Sequence, residues 1–123
     1  MPKPAQTYRD LLVWQKAVHV AKAIYEVTQG FPKAEVYALT SQIRRCAVSI
    51  PSNIAEGFGR RRSGEYVRFL RIARGSIFEL ETQLLIALEV SFLDEKEYTR
   101  VCALIDEVER MLESLLRKVE AVP

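Results

Sequence analysis

The sequence predicts an all-α chain, an antiparallel up-down-up-down four-helix bundle with a proline-kinked second helix. Three observations carry this. Apolar residues recur at steps of three and four along nearly the whole chain, and no period-two run is long enough for a strand. The 123 residues suffice for one core and not two, so residues 1–123 form a single domain. Short connections between long periodic segments make consecutive helices antiparallel neighbours.

The first helix is placed at about 8–29, closed by Gly30 and then Phe31-Pro32, a glycine cap with a proline stop. The second runs from about 34 to 57 with a stripe of Leu39, Ile43, Cys46, Ala47, Ile50 and Ile54. Pro51 lies inside that stripe, and the register continues on both sides of it. The reading is therefore one kinked helix, with a missing backbone donor and a crowded Ala47 carbonyl. Ser49, Ser52 and Asn53 are placed to satisfy freed backbone groups, and Asn53 with Glu56 is the best candidate for a buried polar pair.

Gly57-Phe58-Gly59 and Arg60-Arg61-Arg62 make the next turn, with Ser63 as N-cap of a third helix at about 63–92. Its stripe is a strict heptad: Tyr66, Leu70, Ala73, Ile77, Leu80, Leu84, Ala87. Gly75-Ser76 in its middle is read as a site of close helix approach. Asp94 with Glu97 opens the fourth helix, about 94–119, whose stripe is Tyr98, Val101, Ile105, Val108, Leu112, Leu115 and Val119. Residues before Tyr8 and after Val119 are expected to fray.

Two helices carry more apolar surface than one core needs. The large apolar residues of the first helix spread over roughly 200° of its wheel, about twice the arc that a surface helix requires. The run Leu84-Leu85-Ile86-Ala87-Leu88 is apolar all round. Such a surplus predicts a homo-oligomer, with Leu11, Trp14, Val18, Leu85 and Ile86 at the interface.

Catalytic chemistry finds no foothold. His19, the one histidine, falls in the polar arc of the first helix among Gln15, Lys16, Lys22 and Glu26. A general base or metal ligand needs converging partners, and none accompanies it. The carboxylates of the fourth helix lack the Glu-x-x-His pattern of a di-metal bundle, and the serines lack an activating His/Asp pair. No catalytic residue, metal, cofactor or small-molecule substrate is expected. Cys46 and Cys102 sit among apolar helical residues as small hydrophobes, which suits the reducing cytoplasm of a bacterium or organelle. No run is long enough to span a membrane and no signal peptide is present.

Charge is the remaining feature. Residues 1–75 hold thirteen Lys/Arg against five Asp/Glu, and residues 76–123 hold five against eleven. Arg60, Arg61 and Arg62 occupy the second turn, Arg68, Arg71 and Arg74 follow at spacing three, and Arg44 and Arg45 lie outside the second helix's stripe. Folding the second and third helices back on each other brings all eight to one side and one end of the bundle. Arginine suits bidentate phosphate contacts. Arg44, Arg45, Arg60, Arg61, Arg62, Arg68 and Arg71 are thus the candidate contacts to an RNA or DNA backbone. The competing readings are a solvated face, or arginines paired with the acidic fourth helix.

The segments LLVWQKA, GFPKAEVYALTSQIRRCAVSIPSNIAEGFGR and FLRIARGSIFELETQL resemble the 23S rRNA-intervening-sequence proteins of bacteria, from Tyr8 to about Val119. Ser49-Ile50-Pro51-Ser52-Asn53-Ile54-Ala55-Glu56-Gly57 is the specific signature. More distantly, the chain is similar to the accessory variability determinant proteins of diversity-generating retroelements. The resemblance implies an up-down bundle in a ring-shaped homopentamer, with no known enzymatic activity. For the retroelement relatives it also implies a basic surface contacting nucleic acid and a reverse transcriptase. The expected function is a non-enzymatic, oligomeric nucleic-acid-binding protein. The alternative is a protein-interaction scaffold whose basic face docks an acidic or nucleic-acid-bound partner.

Overall fold

A computed structural model describes residues 3–121. Four helices carry the chain: α1 Leu12–Thr28, α2 Leu39–Gly59, α3 Tyr66–Glu89 and α4 Glu95–Glu120. Single 3-10 turns at Tyr8–Asp10, Lys33–Glu35 and Arg61–Ser63 precede the first three. Each helix packs on its successor and α4 returns to α1, while the backbones of α1 and α3 stand apart diagonally across a shared core. Cys46 of α2 lies level with Ser76 of α3, and Gly57 with Phe69. Along α3 and α4, Arg74 meets Glu113 and Arg71 meets Glu120. Rising numbers on one helix meet falling numbers on the next, so these neighbours run antiparallel.

The heptad of α3 is buried throughout, from Tyr66 to Ala87. Ile43, Cys46, Ala47, Ile50 and Ile54 of α2 are buried too, with Leu39 half-covered at the helix start. Truncating a fully buried Ile54 or Leu80 to alanine costs about 2–5 kcal/mol. On α4 the buried set is Val101, Ile105, Val108, Leu112 and Leu116, whereas Leu115 is only half-buried. A helix of 3.6 residues per turn drifts off a strict seven-residue repeat, which moves the last core position one residue on.

Several boundaries differ from the sequence expectation. Leu11 is extended (φ −78°, ψ 120°), so α1 starts after it rather than at residue 8. The segment before it does not simply fray. Asp10 Oδ2 accepts the backbone N–H groups of Gln6 at 3.0 Å and Thr7 at 3.2 Å, and these bonds hold its carboxyl below the ordinary range. Ala5 and Tyr8 pack against the core, and residues 1–2 and 122–123 lie outside the described residues. Gly30 is not a left-handed cap, because the only described glycine with positive φ is Gly64 at 81°. The Thr28 hydroxyl instead donates to Ile24 O at 2.7 Å as α1 ends.

The start of α2 is delayed to Leu39, whose N–H donates to Glu35 Oε2 at 3.2 Å. That bond satisfies one of the donors a helix N-terminus leaves free. The helix then continues unbroken through Pro51 and includes the glycines expected in the turn. A Cβ at Gly57 would stand 2.9 Å from Phe69 Cβ, so close approach of α2 and α3 needs glycine there. Gly75, expected to have that role, faces open space.

Ser63 does not cap α3. Its hydroxyl donates to Arg60 O at 2.8 Å, and Gly64 turns the chain before Tyr66. The end of α3 comes at Glu89, earlier than expected. Ser91, at φ 65°, takes the left-handed position usually given to glycine, and Phe92 N–H donates to Ala87 O at 2.9 Å. Asp94 caps α4 as the sequence indicated, accepting Glu97 N–H at 2.7 Å.

Candidate nucleic-acid interface

The turn between α2 and α3 carries three arginines in different settings. Arg61 Nη1 donates to Phe58 O at 2.8 Å at the end of α2, and its Cζ lies 3.9 Å from the centre of the Phe58 ring. Arg60 bonds Glu56 at 2.8 Å, one turn back on α2. Arg62 is exposed and has no ion pair among the described residues. On α3, Arg68 pairs with Glu65 at 2.8 Å, Arg71 with Glu120 at 3.2 Å and Arg74 with Glu113 at 3.2 Å. Pairing of arginines with α4, the bland reading of the sequence, is thus present for Arg71 and Arg74. Exposed pairs of this kind contribute about 0–1 kcal/mol, so a phosphate can displace the carboxylate.

Arg44 and Arg45 do not join this end. They precede Arg60 by about sixteen residues, some ~24 Å of helix at 1.5 Å per residue. Arg44 Nε donates to Thr28 Oγ1 at 2.9 Å, and its Cζ sits 4.7 Å from the Tyr25 ring centre. Arg45 borders a cleft with Gln42, Glu79 and Gln83 between α2 and α3. The eight arginines therefore do not share one end, because folding back about residue 60 carries the start of α2 to the opposite one.

Other cations take their place. Arg117 and Lys118 end α4 beside the start of α1, since Leu11, Leu12 and Lys118 line one groove. Arg9 lies on the 3-10 turn, whose Tyr8 borders Glu56. Arg9, Arg60, Arg61, Arg62, Arg68, Arg71, Arg117 and Lys118 thus gather at one end of the bundle, against Asp10, Glu56, Glu65 and Glu120. The opposite end mixes Glu35, Glu89, Asp94, Glu95 and Glu97 with Lys33, Lys96, Arg44 and Arg45, and its charge is close to balanced. The cationic excess of the first half of the sequence thus concentrates at one end of the fold, while the other end is mixed. Sequence reasoning missed Arg9, Arg117 and Lys118, which lie far from the cluster along the chain. Only the antiparallel return of α4 would have revealed them.

The other polar groups divide differently. Asn53 does not pair with Glu56. Its Nδ2 donates to Ser49 O at 2.8 Å and Ser49 Oγ at 2.9 Å, while Glu56 is exposed and held by Arg60. Glu81, Asp106 and Glu109 bring carboxylate oxygens within 4.8 Å of one another on the outer surface of α3 and α4. Partial burial, then Glu109 and Asp106, raises the Glu81 carboxyl above its ordinary range. His19 is exposed on α1, and Cys46 and Cys102 are free thiols. No helix among the described residues is long and apolar enough to cross a membrane.

The family model for the 23S rRNA-intervening sequence protein matches residues 9–114. The chain belongs to this family. A comparison with curated proteins returns no match. Among solved structures, the chain is similar to a protein of unknown function from the S23 ribosomal protein family of Bacteroides thetaiotaomicron. The TM-score is 0.79 at 20% identity, over 86% of this chain and 96% of the other. At that identity the likeness shows the fold alone.

The residues expected at an oligomer interface fall on more than one face of the bundle. Trp14 and Val18 border a groove with Tyr8, Pro51, Ser52 and Ala55, between α1 and α2. Leu11 turns away toward Met111 and Leu115 of α4. Leu85 and Ile86 are 46% and 47% exposed on α3, the helix diagonal to α1, where Ile72 and Phe78 are also exposed.

Proposed function

We propose that this chain is a non-enzymatic, oligomeric protein of the cytoplasm that holds an RNA or DNA backbone against the basic end of its bundle. The observation that supports this reading is the gathering of cations from the α2–α3 turn, α3, α4 and the first 3-10 turn at that end. A tight four-helix fold does not require such convergence, since most of these side chains are exposed. The family's name refers to an intervening sequence of 23S rRNA, which makes RNA the first polyanion to test.

The test replaces Arg62, Arg117 and Lys118 with glutamine. These three have no ion pair among the described residues, so the substitutions leave the fold intact. Affinity for a labelled RNA should drop, and the slope of log affinity against log salt should flatten by about one for each phosphate no longer neutralised. A wild-type protein that retains neither RNA nor DNA at low salt overturns the reading.

Oligomerisation follows from the two apolar faces. They lie on diagonal helices, so a contact joining α1–α2 of one copy to α3 of the next is heterologous. Repeating such a contact closes a ring if the rotation allows. The family resemblance gives five copies.

A further inference from the structure

We infer that the basic end takes single-stranded nucleic acid, with unpaired bases stacking on its arginines. This rests on the backbone-binding reading above and adds to it the class of strand. Four of the cations at this end have an aromatic ring beneath them. Arg61 Cζ lies 3.9 Å from the centre of the Phe58 ring, and Arg68 Cζ lies 4.6 Å from that of Phe69. Arg60 Cζ lies 5.5 Å from the same Phe69 ring, and Arg9 Cζ lies 5.6 Å from that of Tyr8.

Three of these guanidinium groups are also fixed at one edge by an acceptor: Phe58 O for Arg61, Glu56 for Arg60 and Glu65 for Arg68. A guanidinium has five N–H donors and two faces. With a ring on one side and an acceptor at one edge, it is held in place without being used up. The opposite face and remaining donors stay available, because the Arg60 and Arg68 side chains are 55% and 61% exposed.

A planar cation held this way suits a nucleobase on its free face and a phosphate at its free edge. Phosphate binding alone needs charge, which flexible and fully hydrated side chains supply equally well. A duplex keeps its base faces stacked and offers only backbone and groove edges, so the free faces would go unused on it. A single strand presents both groups together.

The experiment measures binding of the full chain to three fluorescent probes of equal length at low salt: a single-stranded oligonucleotide, its duplex, and an abasic strand with the same backbone. The single strand should bind roughly tenfold tighter than the abasic strand and tighter than the duplex. Arg68→Lys keeps the charge and removes the plane, so it should erase part of that preference while leaving the salt slope unchanged. Phe69→Leu should act similarly, and far-UV circular dichroism checks that the helices remain. Equal binding of all three probes overturns the stacking inference and leaves backbone binding standing. Absence of binding to every probe overturns both. An Arg68→Lys protein with an unchanged preference for bases removes Arg68 from the platform and the inference with it.

Discussion

The hydroxyl oxygens of Ser49 on α2 and Ser76 on α3 stand 2.8 Å apart across the interface of the two helices. Asn53 Nδ2 donates to Ser49 Oγ at 2.9 Å, and Cys46 Sγ donates to Ser76 O at 3.0 Å. A short polar seam thus crosses the interface, beside the cleft bordered by Gln42, Arg45, Glu79 and Gln83. Ser76→Ala removes the hydroxyl partner of Ser49 Oγ. We expect destabilisation by about 1 kcal/mol in urea unfolding, with nucleic-acid affinity unchanged.

The glycines at positions 57 and 75 should respond in opposite ways to alanine. At Gly57 the new Cβ meets Phe69 Cβ at 2.9 Å and the Tyr66 ring at 3.2 Å. Overpacking of about 1–3 kcal/mol then exceeds the benefit in helix propensity. Gly75→Ala meets nothing within 4 Å and should stabilise the fold by up to ~1 kcal/mol. Thermal melts of the two variants check the sign of each.

Burial, and then the charge of Glu79, pushes the Cys46 thiol from 9.0 up to about 11. Because the folded value is raised, the contribution to stability is complete below pH 9 and is lost as pH rises toward 11. Cys46→Ala should therefore flatten the alkaline limb of the stability profile. Denaturant midpoints at pH 8, 9 and 10 measure it. An unchanged slope would show that Cys46 does not carry the effect.

Heterologous assembly makes a prediction that a two-fold dimer does not. Val18→Glu blocks the α1–α2 face and Ile86→Glu blocks the α3 face, so each variant alone should be monomeric in light scattering. Mixed in equal amounts, the two retain one compatible pair of faces and should form a dimer that cannot grow. A mixture that stays monomeric, or variants that keep the wild-type mass, would refute this arrangement.

Where one local rule acted alone, the sequence was easy to read. The heptad from Tyr66 to Ala87 and the Asp94 cap are local patterns, and both are present in the fold. The end of α3 was not legible, because Ser91 adopts a left-handed conformation that sequences usually mark with glycine or asparagine. Within the candidate site, Arg60, Arg61 and Arg62 were adjacent in the chain and remain adjacent in space. Arg44 was misplaced because proximity across a hairpin is not proximity to its turn: about sixteen residues of helix separate it from Arg60, and its Nε bonds Thr28 of α1. Arg117 and Lys118 join the cluster only through the path of α4, which no local pattern records.

The lengthwise asymmetry of charge has a consequence for any ring built from side faces. Copies related by rotation about an axis parallel to their helices all point the same way, so the assembly acquires two unlike rims, one cationic and one of mixed charge. Valency then multiplies on the cationic rim alone. Weak grips repeated around that rim hold one polymer far longer than a single copy does, provided the strand is flexible enough to follow the circle.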